Sequence, residues 1–207
     1  MKDFFSYDGI VFKICDAIGD VFILSILWTI TSIPIVTMGT STASCYYIFT
    51  KKAMDKDVSI FSDYFTQFRN NLKQTLVLNI IFTLVWAIVL VGIFILRISG
   101  FYNNSFLSYV VICLQIIYMS QLFIVTLYLY PLISRFENSN INSVKMAFIV
   151  GNKYIFSTIA LIALLFLIIF LTYYIPILIV VSVGVYFMLS SYIFVRVLKK
   201  INPDVDK

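Results

Sequence analysis

Six polar side chains interrupt the apolar stretch between Phe106 and Ser134: Ser108, Gln115, Tyr118, Gln121, Thr126 and Tyr128. Wound into a helix, they fall within a little under half of its circumference. An amide surrounded by hydrocarbon seeks a hydrogen-bonding partner, so this face should point at other helices. Three roles suit it. Gln115, Tyr118 and Gln121 could glue helices together, line a polar pocket for an uncharged solute such as a sugar, or form a subunit interface.

Other chemistry is scarce. The chain has no histidine. Histidine is the usual proton shuttle near neutral pH and the commonest metal ligand, so Ser-His triads and HExxH zinc sites are excluded. Cys15, Cys45 and Cys113 are isolated, without CxxC spacing, and suggest neither a disulfide framework nor a metal cage. All ten acidic residues lie in tails or loops on the span assignment below, and Arg97 sits at a span end where it can snorkel. No ionisable group therefore marks a site inside the membrane, which argues against proton-coupled carriage, aspartyl proteolysis and voltage sensing. Composition alone leaves a Ser-Lys dyad open, but nothing places a serine beside a lysine at membrane depth. We expect no enzymatic activity, no cofactor and no metal.

These residues must be held by membrane helices. Of 207 residues, 61% are apolar and 12% charged, and the mean hydropathy is +1.00. A soluble core of this size could not hide so much apolar surface. We therefore expect an all-α, polytopic bundle forming one membrane domain over residues 1–207, with the lipid bilayer as its solvent. A crossing needs about 20 apolar residues. Candidate spans run over about 21–37, 75–96, 106–134, 154–172 and 176–195. The last two come from one long run split at Tyr173-Tyr174-Ile175-Pro176, because a residue before proline is pushed out of helix.

Five spans put the termini on opposite sides. Residues 39–73, 135–153 and 196–207 carry 12 of the 15 lysines and arginines; the other side has Lys2, Lys13 and Arg97. The positive-inside rule makes the richer side cytoplasmic, with the N-terminus outside and the C-terminus inside; the resemblance described below implies that the membrane is the bacterial plasma membrane. On this topology the net charge of +5 reflects orientation and not nucleic-acid binding. Amphipathic helices should lie at the interface. One is expected near the N-terminus, around Phe4, Phe5 and Ile10–Ile14. A second carries Phe61, Tyr64, Phe65, Phe68 and Leu72 at helical spacing, and a weaker one carries Val144, Ala147, Phe148 and Ile155. They either anchor the spans or dock a cytoplasmic partner. Residues 39–50 read as a further helix start, with Thr40, Ser41 or Thr42 as the cap.

The stretch from Leu27 to Ser41 carries Leu-Trp, an apolar run, and then Pro34-Ile35-Val36-Thr37-Met38-Gly39-Thr40-Ser41. It resembles the signature of the YesL-like family of bacterial membrane proteins. Tyr130-Pro131-Leu132 and the Asn71-x-x-Gln74 entry to the second span fit as well. The motif positions are Trp28, Pro34, Thr37, Gly39, Ser41 and Pro131; the resemblance assigns them no role. It implies about five spans and a function not yet defined. Members are commonly encoded beside carbohydrate-uptake systems, which implies a non-enzymatic accessory or assembly subunit of a sugar ABC importer. The alternatives are a small oligomeric channel or carrier for an uncharged solute, and an envelope sensor. A homo-oligomer is compatible with each.

Overall fold

The structure, a computed structural model, describes residues 10–98 and 106–201. Phe4 and Phe5, with the rest of residues 1–9, the 99–105 loop and the 202–207 tail, lie outside it. The described chain is helical: α1 (Ile10–Thr31), α2 (Met38–Lys52), α3 (Ile60–Ile98), α4 (Phe106–Ile133), α5 (Asn140–Lys153), α6 (Ile155–Tyr174) and α7 (Ile179–Ile201). Short 3-10 turns at Ile35–Thr37 and Pro176–Leu178 precede α2 and α7.

Among the described residues, four helices are long and apolar enough to cross a membrane: α3, α4, α6 and α7 from Val181. The expected fifth crossing at residues 21–37 does not take that form. Its helix ends at Thr31, and Pro34 opens the 3-10 turn that reverses the chain into α2. From Val21 onward α1 offers 11 helical residues, about 16 Å of length against an apolar core of about 30 Å. The segment expected to be a separate amphipathic helix at 61–72 is the first third of the 39-residue α3. The weaker one does stand apart, as α5, with Ser143, Ala147, Val150 and Gly151 buried and Ile141, Phe148 and Ile149 exposed.

The second correction concerns sidedness. Lys52, at the end of α2, pairs with both Asp16 and Asp20 of α1, the former at 3.7 Å. Lys51 pairs with Asp63 at the start of α3 (3.1 Å). The entrance of α1, the exit of α2 and the entrance of α3 therefore share one end of the molecule. The N-terminal segment and residues 39–73, expected on opposite sides, come together. Arg135, just past α4, joins them by stacking on Tyr47 at 5.2 Å, and burial lowers its pKa against the opposing influence of Tyr47.

α2 occupies the interior, in contact with α1, α3, α4 and α7. Its sequence explains how. Gly39, Thr40, Ser41, Ala43 and Ser44 are small enough for close helix approach, and all are buried. Their hydroxyls need no water, because Ser41, Thr42 and Ser44 bond carbonyls one turn back at 2.8–3.1 Å. Thr40 also meets Thr75 of α3 at 2.6 Å. Asp55, with φ of 53°, closes the far end and lets the Lys56 N–H reach the Lys51 carbonyl at 3.1 Å.

The other breaks follow from proline and from a capping side chain. Ile175 leaves the helical region ahead of Pro176, which ends α6 at Tyr174, within the Tyr173–Pro176 stretch singled out in the sequence. Between α5 and α6 only Tyr154 is non-helical (φ −106°, ψ 52°). Thr158 bonds the carbonyl of Gly151 freed by that break, at 2.8 Å, and lies 3.1 Å from the Tyr128 hydroxyl.

Substituting Lys52→Met tests the shared end. Asp20 is nearly buried, and burial already raises its carboxyl pKa against the hydrogen bond and charge of Lys52. Without Lys52 the raised pKa rises further. A carboxyl whose folded pKa exceeds its unfolded value stabilises the fold below the unfolded value and loses that contribution as pH climbs through the folded one. The variant should therefore lose about 1.5–3 kcal/mol at pH 7.5, the worth of a hydrogen bond to a charged group. Most of that loss should vanish near pH 4. Denaturant titrations at the two pH values check it.

Candidate functional site at the α1–α2 hairpin

The family-motif residues assemble the reversal between α1 and α2. Trp28 donates its indole N–H to Thr42 at 3.1 Å and so ties the two helices together. Pro34 sits extended at the start of the 3-10 turn. Thr37 holds the N-cap position of α2 but makes no capping bond. Its hydroxyl turns back instead, to the carbonyls of Thr31 (2.7 Å) and Pro34 (2.8 Å). The cap expected from Thr40, Ser41 or Thr42 is absent because all three lie inside the helix. Thr31 bonds the buried Tyr64 hydroxyl at 2.7 Å.

Irregular backbone within an apolar bundle must have its carbonyls satisfied. Asn79 does this for the turn. Its amide N–H groups reach the carbonyls of Ile35 (2.8 Å) and Val36 (3.2 Å), and its own oxygen accepts from the Tyr130 hydroxyl (2.9 Å). Asn79 lies nineteen residues from either end of α3. The hairpin tip therefore meets α3 at its midpoint, about 28 Å from each end. Gly39 makes the arrangement possible: a Cβ there would overlap the ring of Tyr130. Sequence inspection passed over Asn79, although a lone amide in the apolar run after Thr75 was a usable signal.

Beside the hairpin is a cavity of about 460 Å³, the size of a small-ligand site. α1, α2, α4, α6 and α7 all contribute to its wall. Trp28, Gly39 and Pro131 line it, so three of the six motif positions converge there. The rest of its wall is mainly aliphatic and aromatic, with Leu127, Ile168 and Phe187 as examples. The Tyr186 hydroxyl is buried beside that of Tyr46, which Ser190 engages at 3.1 Å. Pro34 and Thr37 belong to the turn and Ser41 to α2, and none of the three lines the cavity.

The polar face expected on the third span divides. Gln121 and Asn152 of α5 exchange two amide hydrogen bonds (3.1 and 3.2 Å), which is helix-to-helix glue. Tyr128 meets Thr158 of α6. Tyr118 is exposed on the outer surface, and Gln115 is half-buried. Of the six residues, Thr126 alone faces the cavity.

No curated protein and no solved structure matches the chain. A family model described as protein of unknown function, DUF624, matches residues 21–93, which hold the hairpin, Asn79 and five of the motif positions. Over that segment the chain is similar to the YesL-like family of membrane proteins, whose function is not known.

Proposed function

We propose that this protein is a non-enzymatic accessory or assembly subunit of a bacterial carbohydrate importer of the ABC type, resident in the plasma membrane. Four helices cross, and the α1–α2 hairpin enters and leaves from one face. Both termini are then cytoplasmic. Among the described lysines and arginines, Arg97 alone sits away from the end shared by α1, α2 and α5, so the positive-inside rule favours that end as cytoplasmic. The exposed Ile33, Ile35 and Val36 of the hairpin tip suit contact with lipid.

The observation that carries the reading is how the polar face of α4 is used. Gln121 is spent on Asn152, and the cavity wall is mainly apolar. A passage for a hydrated sugar needs hydrogen-bonding groups along its length. The small-channel alternative loses its motivation, and the family's association with sugar-uptake genes favours a helper role. The cytoplasmic end, with α5 and the Lys145, Lys153 and Lys200 charges, is the surface for importer subunits. Affinity purification from mild detergent should recover permease and solute-binding subunits, and deletion should reduce glycan uptake. Isolation of this chain alone, with uptake unaffected by deletion, would overturn the proposal.

A further inference from the structure

We infer that a basic pocket between α5 and the end of α7 binds the phosphate of an anionic phospholipid headgroup. Three lysines converge on it. Lys145 and Lys153 come from α5, and Lys200 comes from the last turn of α7. Asn142 adds an amide, and the pocket has a volume of about 450 Å³. Among the described residues no carboxylate lines it, and none of the three lysines is in an ion pair. Glu137, the acid nearest in sequence, stands one residue before the pocket-lining Asn138 but does not line it. The lysines at the end of α2 are treated otherwise: Lys51 is matched by Asp63, and Lys52 by Asp16 and Asp20. Three ammonium groups around one pocket repel one another, and an anion seated among them offsets that repulsion. Basic pockets between membrane helices are suited to anionic headgroups.

The rim selects a lipid over a soluble phosphate. Ile149 lines the pocket and is 60% exposed, and Ile141 and Phe148 are exposed beside it. At about 100° per residue, Lys145 falls between Ile141 and Ile149 on α5. A lysine set within an exposed apolar strip suits the boundary between headgroups and acyl chains. Its stem lies along hydrocarbon while its charge reaches the phosphate level. A phospholipid covers Ile141, Phe148 and Ile149 with its chain; a soluble phosphate gains nothing from them. Lys153 is held at the pocket by lying over the ring of Tyr154 at 5.7 Å.

A phosphate shared by the three lysines ties together two elements that touch each other little. α5 packs chiefly on α4, whereas α7 packs on α1, α2 and α6. The inference does not rest on the importer reading. It needs only this chain and a bilayer, and importer subunits would meet the same end with the lipid in place.

The test titrates full-length protein in neutral detergent with phosphatidylglycerol, or with phosphatidylcholine of the same acyl chains, and counts bound lipid by native mass spectrometry. The first phosphatidylglycerol should bind about tenfold or more tightly than phosphatidylcholine. The combined variant Lys145→Gln, Lys153→Gln, Lys200→Gln should lose that preference. Its phosphatidylcholine binding should stay as in wild type, which also shows that it is folded. Removing three exposed charges outside the pocket, with Arg69→Gln, Lys73→Gln and Arg196→Gln, should leave the preference intact. In wild type, acetylation of Lys145, Lys153 and Lys200 should be severalfold slower in phosphatidylglycerol nanodiscs than in phosphatidylcholine nanodiscs, with Lys73 little changed. No preference in wild type, equal loss in the two triple variants, or no selective protection of the pocket lysines would overturn the inference. Two competitors separate the other sources of an anion, and neither should displace the lipid. Displacement by millimolar glycerol phosphate would make the ligand a soluble phosphate. Displacement by micromolar hexaglutamate would make it an acidic protein segment, and either result would refute the phospholipid.

Discussion

Replacing Gly184 with valine is expected to destabilise the protein by about 3 kcal/mol, the upper end for inserting atoms into a packed interface. Gly184 of α7 lies against α1. Its N–H donates to the Ser25 hydroxyl at 3.0 Å. A Cβ at this position would sit 2.6 Å from the Val21 carbonyl oxygen and would also overlap Ser25 Oγ. A side chain can swing away from such a clash; a helix carbonyl cannot. α1 would have to separate from α7, and Trp28, which packs edge-on against Phe187 at 6.1 Å, would move with it. SDS titration of the folded protein in mixed micelles measures the loss. Ser25→Ala removes the hydroxyl's hydrogen bonds without inserting atoms and should cost about 1 kcal/mol. Equal losses for the two variants would contradict a crossing set by backbone contact.

Asn79→Leu should be the second large loss, about 2–4 kcal/mol. It orphans the carbonyls of Ile35 and Val36 and frees the Tyr130 hydroxyl. A backbone carbonyl left unpaired against lipid costs several kcal/mol, while single hydrogen bonds between membrane helices average about 0.6 kcal/mol. The expected loss lies between the sums those figures suggest, because the tip can re-pair only by leaving its seat. Tyr130→Phe isolates one bond of the three and should cost under about 1 kcal/mol. The same titration checks both. Equal, small effects would mean that the amide does not hold the hairpin.

Much of the fold was legible because lipid imposes a simple rule. Long apolar runs become helices, and α4, α6 and α7 lie where hydropathy and Pro176 put them. Gln121 was legible as glue for the same reason, since an amide in hydrocarbon must pair. The failures share a cause. α2 is built from glycine, serine, threonine and alanine, which hydropathy reads as loop, yet its hydroxyls bond its own carbonyls and its small side chains favour burial. With residues 39–50 read as a helix start on the cytoplasmic side and not as part of the bundle, Pro34 became the end of a crossing instead of the tip of a hairpin. The charge tally then had to place Asp16 and Lys52 on opposite sides, although the structure pairs them. The motif residues were recognised as a set, but their partners Asn79 and Tyr130 lie more than 40 positions downstream of the turn, and no local pattern connects them to it.

The central claim is that α1 and α2 form a hairpin entered from one face, so that both ends of the chain share a side. Cys15 is exposed near the start of α1, Cys45 is buried, and Cys113 can be removed as Cys113→Ser. In that background an impermeant maleimide should label Cys15 in inverted vesicles and not in intact cells. A cysteine introduced as Lys200→Cys should behave identically. Labelling of Cys15 from outside intact cells, with Lys200→Cys reached only in inverted vesicles, would contradict the hairpin and restore a fifth crossing.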